Sequence, residues 1–88
     1  MQFLVICRPA AGGDPDEFNR LIPFETEVMR EQKARGILTG AWSPGRPGAV
    51  LMLEAADAEA AGRILAGFPL VEAGLISTEI IPLHPFDL

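Results

Sequence analysis

The feature that most constrains this chain is an unbroken apolar run near its start, Phe3-Leu4-Val5-Ile6-Cys7. Side chains alternate between the two faces of a strand, so a strand with no polar residue must be covered on both faces. The run ends at Arg8-Pro9 and the pair Gly12-Gly13, which break the chain direction. A second run of the same character, Ala49-Val50-Leu51-Met52-Leu53, follows later. Two such strands in 88 residues leave room for one domain, 1–88, with one core. A hydrophobic content of 49% exceeds what so small a domain can easily hide, so part of the surface is expected to be covered by another subunit.

The remaining punctuation fixes the element order. Asp14-Pro15-Asp16-Glu17 supplies an N-cap, a proline at the first helical position and a carboxylate three residues after the cap. The predicted helix runs to about Arg35 and closes on Gly36, with Pro23 kinking or dividing it. Ile37 to Trp42 and Ala49 to Leu53 form a hairpin around the turn formers Ser43 to Gly48. Asp57 caps a second helix whose Ala61, Ile64, Leu65 and Phe68 share one face, and Pro69 is expected to end it. The last strand covers about Leu75 to Leu83, with Pro82 marking an edge or the strand's end. The order β-α-β-β-α-β is that of an α+β ferredoxin-like domain with an antiparallel sheet and both helices on one face. A second copy is the natural cover for the other face, giving a dimeric α/β barrel as a homodimer or higher homo-oligomer.

Charge and motif content narrow the function. Seven basic against 12 acidic residues give a net charge of −5, which excludes a nucleic-acid partner that needs clustered cations. No apolar stretch approaches the ~18 residues of a membrane span, and the N-terminal run is too short for a signal peptide. One cysteine forms no internal disulfide and fits a reducing cytoplasm. One histidine and one cysteine provide no metal-ligand spacing, so no metal is expected. Gly12-Gly13 lacks any G-x-G-x-x-G or G-K-[ST] context, and no cofactor is expected. Ser43 and Ser77 lack a nucleophile-elbow context.

A helical projection places Leu21, Ile22, Val28 and Met29 in one apolar arc with Glu25 in its middle and Gln32 further along the stripe. A carboxyl on a core-facing stripe loses hydration, which raises its pKa from ~4.3 unless a cation pairs with it. That is the condition of a general base. The structural alternative is a salt bridge from Glu25 to Arg8 or Arg63. His84, between Pro82-Leu83 and Pro85-Phe86, is the only histidine of the chain, and either serves catalysis or decorates a tail. Trp42 is either core or a platform for a ligand.

Several of these residues together resemble the muconolactone Δ-isomerase family: Glu25 eleven residues before Gly36, Gly36 followed by Trp42, Pro69-Leu70 after the second helix, and His84-Pro85 near the end. The resemblance covers nearly the whole chain. It implies a dimeric α/β barrel and a cofactor-free enzyme that moves a double bond within a small unsaturated lactone by removing a proton and returning it elsewhere. Glu25 then shuttles the proton, and His84, a backbone N–H or Arg8 receives the oxyanion charge. Trp42, Gln32, Arg8 and Met29 are the expected substrate-binding residues. The chain departs from the family in having no tyrosine, where the family places one in the hairpin region. Another small acidic or cyclic carbonyl compound, of aromatic catabolism or secondary metabolism, is therefore the expected substrate. The rival readings are a cofactor-independent monooxygenase or cyclase, and a non-catalytic ligand-binding module of the YciI-like kind.

Overall fold

Strand β1 (Gln2–Pro9) lies inside a four-stranded antiparallel sheet of order β2-β3-β1-β4, formed with β2 (Leu38–Trp42), β3 (Ala49–Glu54) and β4 (Ile76–Leu83). The structure is a computed structural model and describes residues 1–88. The central position accounts for the apolar run. Val5 pairs with Leu51 on one side and Ile80 on the other, and Leu4 with Met52 and Ile81. Alternation sends Phe3, Val5 and Cys7 to the helix side, where all three are buried, and leaves Leu4 and Ile6 half-buried on the other. β4 is an edge strand, which tolerates the missing N–H of Pro82.

Helix α1 (Pro15–Ala34) is capped by Asp14, whose Oδ1 accepts from the Asp16 N–H at 3.0 Å. Contrary to expectation, Pro23 does not divide it. Pro23 and Asn19, whose carbonyl loses its partner, are both exposed, so water can satisfy the freed oxygen. Helix α2 (Ala58–Ala66) is capped by Asp57, which accepts from the Ala60 N–H at 2.8 Å, and closes on Gly67. Pro69 does not end this helix but opens a short further one, α3 (Pro69–Glu72). The fixed φ that bars proline from a helix interior suits the first position. With that addition the expected α+β ferredoxin-like order is present.

The core lies between the helices and one sheet face, where Phe3, Val5, Leu51, Leu53, Leu65 and Phe68 are fully buried. On the opposite face Leu4, Ile6, Val50, Met52 and Ile81 are half-buried, and Trp42 is 56% exposed. The Trp42 ring lies against Gly40, where any Cβ would overlap it. No helix is long and apolar enough to cross a membrane.

Candidate active site

Glu25 is the one polar or charged residue in the buried set, at 9% exposure. Helical periodicity puts it there: the stripe that carries Val28 and Met29 into the core carries Glu25 with it. Its Oε1 accepts a hydrogen bond from the backbone N–H of Leu70 at 3.0 Å. Leu70 is the second residue of α3, whose N-cap position is held by Phe68 with no capping side chain. Glu25 therefore caps α3 from a neighbouring helix, satisfying an N–H that the local sequence leaves open.

No cation reaches this carboxyl. Arg8 pairs with Glu79 at 3.0 Å, Arg63 with Glu59 at 3.0 Å, and the Met1 ammonium with Glu54 at 2.6 Å. The alternative of a salt bridge from Glu25 to Arg8 or Arg63 is thereby overturned, because each arginine is engaged elsewhere. Burial pushes the Glu25 pKa above the ordinary carboxylate range, and the Leu70 N–H only partly offsets it. Burial, and secondarily the Glu25 charge, also push the Cys7 thiol up to about 11. Cys7 is thus a free, buried and unreactive thiol on the same side of the sheet.

The sequence matches no protein-family model and no curated protein. Solved structures do match it. Over 99% of this chain and 92% of the other, the fold superposes on muconolactone isomerase with a TM-score of 0.79 at 21% sequence identity. This chain has the muconolactone isomerase fold. The 5-chloro-2-hydroxyhydroquinone dehydrochlorinase of Burkholderia phenoliruptrix, solved in complex with 2,5-dihydroxybenzoquinone, shares it with a TM-score of 0.68 at 18% identity, over 96% of this chain and 94% of the other. At these identities the likeness is one of fold.

Within the muconolactone isomerase fold, the expected site residues divide into three groups. Glu25, Met29 and Gln32 lie on the helix side; Met29 packs against the core, and the Gln32 Oε1 is buried with no hydrogen-bond partner. Arg8 and Trp42 lie on the open sheet face, Arg8 because it shares the parity of Leu4 and Ile6 along β1. Within one protomer the sheet separates them from Glu25, so the expected convergence of Arg8 and Trp42 on this carboxyl does not occur. His84, exposed just beyond β4, lines a cleft of about 640 Å³ with Gln2, Glu54 and Pro85. None of the four main surface clefts has Glu25 in its wall. The role of the Leu70 N–H was missed by sequence reasoning. Its signal was Phe68-Pro69: a helix opened by proline behind an apolar cap position lacks a local acceptor.

Proposed function

We propose that this chain is a cofactor-free enzyme that moves a double bond by proton transfer in a small unsaturated lactone or related cyclic carbonyl compound, with Glu25 as the acid–base group. A buried carboxyl with no cationic partner carries the proposal. Removing a proton from one carbon and returning it to another requires a base whose conjugate acid keeps that proton from water. Desolvation favours the neutral acid of Glu25, so the proton is held once taken. Oε1 is occupied by the Leu70 N–H; Oε2 has no hydrogen-bond partner and is not a fully buried atom, so it is the oxygen left for a substrate.

The proposal includes a homodimer in the cytoplasm, with a second copy covering Leu4, Ile6, Val50, Met52, Ile81 and Trp42 on the open face. Exposed apolar area of this extent marks an interaction surface. In this reading Arg8 and Trp42 belong to the subunit contact, on the side of the sheet away from Glu25.

A second reading is favoured by the absence of Glu25 from the main clefts: the residue only caps α3, in a non-catalytic ligand-binding module. Glu25→Gln separates the two, because the amide oxygen can still accept from Leu70 while the base is gone. The measurement is deuterium incorporation and absorbance change with β,γ-unsaturated γ-lactones in D₂O. Turnover reduced by about 10²–10⁴-fold in Glu25→Gln, with an unchanged fold, supports the enzyme. Turnover equal to that of the unsubstituted protein removes Glu25 as the base.

A further inference from the structure

We propose that the cleft of about 330 Å³ at the N-terminal end of α1 is a binding site for an uncharged small ring compound. Phe18, Leu75 and Pro47 form its walls, with Gly13, Asp14 and Asn19 beside them. Separate parts of the chain meet there: the end of β1 with the first turn of α1, the β2–β3 loop and the residue before β4. It is the most apolar of the four main clefts. Its size suits one ring, since an apolar cavity of about 150 Å³ already holds benzene and ligand pockets begin near 300 Å³.

The charge preference follows from how α1 begins. A helix N-terminus ordinarily attracts anions through its free N–H groups and its dipole. Here Pro15 has no N–H and the Asp16 N–H is taken by Asp14 Oδ1 at 3.0 Å, so of the first-turn N–H groups beyond the cap only that of Glu17 stays open before the regular bond from Phe18 to the Asp14 carbonyl. The Asp14 carboxylate occupies the place an anionic ligand would take, Asp16 and Glu17 follow in the same turn, and no Lys or Arg lines the cleft. A carboxylate ligand meets repulsion there; an uncharged ring meets Phe18 and Leu75.

The ligand class, a small ring, rests on the proposed function above. Phe18 precedes Glu25 by seven residues, so both lie on one stripe of α1 about 10 Å apart along the helix. Gly13 sets the clearance: a Cβ on it would stand 3.3 Å from Leu75 Cδ2.

The test is an NMR titration of protein with labelled leucine methyl groups, using γ-crotonolactone and phenol as uncharged probes and benzoate as the anion. The expected result is a saturable shift of the Leu75 methyls with both uncharged probes, and binding of benzoate at least about tenfold weaker. Asp14→Asn keeps a good cap and should bring benzoate several-fold closer to phenol. No saturable shift at Leu75, equal binding of benzoate and phenol, or unaltered discrimination in Asp14→Asn overturns the site. Running the titration in Glu25→Gln keeps the two proposals apart. A lactone bound at Leu75 and turned over equally by Glu25→Gln and the unsubstituted protein removes the role of Glu25 and leaves the cleft. Turnover that depends on Glu25 without any shift at Leu75 removes the cleft and leaves Glu25.

Discussion

The two faces of the sheet are built from the same strands yet meet opposite surroundings. Along β1, Phe3 and Val5 are 0% exposed under the helices, while Leu4 and Ile6, equally apolar, are only half covered. The polar residues differ as well. The helix side holds Glu25 with no cation and a single backbone N–H, whereas the open face carries Arg8 and Glu79 as a pair with side chains 55% and 53% exposed. Apolar content therefore measures how much cover a strand demands, and the fold supplies only half of it within one chain. One face is a finished core with a reluctant acid in it; the other leaves its apolar side chains half covered.

The largest expected effect breaks the finished side. Phe3→Ala should lower stability by about 3–5 kcal/mol, a large part of the roughly 5–15 kcal/mol of a small domain, read as a collapse of the urea midpoint. Its counterpart on the open face is Ile6→Asp. That change should leave the circular dichroism spectrum intact and turn the proposed dimer into a monomer in sedimentation. Trp42, the only tryptophan and on the same face, should shift its emission to the red as the contact is lost. A monomer in which Ile6→Asp unfolds the chain as readily as Phe3→Ala would erase the distinction between the faces.

How far the sequence foretold this division depends on which periodicity was consulted. The non-alternating run at Phe3–Cys7 announces cover on both faces, and the 3.6-residue period puts Glu25 into the core. The same reasoning applied to β1 would have placed Arg8 with Leu4 and Ile6, away from Glu25. That parity sets Arg8 apart from Glu25, whereas the resemblance alone admits it as an oxyanion partner. His84 and Trp42 were grouped with Glu25 by resemblance, and neither periodicity fixes where a residue beyond a strand or beside a bulge will stand. The bulge between Leu38 and Gly40 in β2 is such a place. Pro23 and Pro69 show a further limit, since proline's conflict with a helix interior predicts a kink or division at the first and a helix end at the second. Exposure excused the first, and the first-position preference turned the second into a beginning.

The acid on the finished side can be probed by pH alone. Because burial raises the folded-state pKa of Glu25 above its ordinary value of 4.5, the folded protein binds that proton more tightly than the unfolded chain. Its contribution is fully present below about pH 4.5 and is lost as pH rises through the raised folded value. Urea midpoints at pH 4 and pH 8 should therefore fall further in the unsubstituted protein than in Glu25→Gln, which has nothing to ionise there. Parallel behaviour of the two proteins would show that the carboxyl is not held against ionisation.

The smallest effect on the stability of the single chain belongs to the open face, and it sharpens the comparison most. Arg8→Ala removes one partner of an ion pair that a single chain leaves to solvent, and such pairs are worth about 0.2–1 kcal/mol, less in high salt. At dilutions where the chain is monomeric the variant should therefore be nearly as stable as the unsubstituted protein. A second copy seated on this face would take the pair out of water, and Glu79 without Arg8 would then be a buried charge lacking a partner, a defect worth about 3–5 kcal/mol. The loss should appear as weaker association measured by dilution, with the monomer's urea midpoint unmoved. Equal dimer affinity with and without Arg8 would mean that the contact leaves this end of the sheet wet, and would confine the apolar seam to Leu4, Ile6, Val50 and Met52.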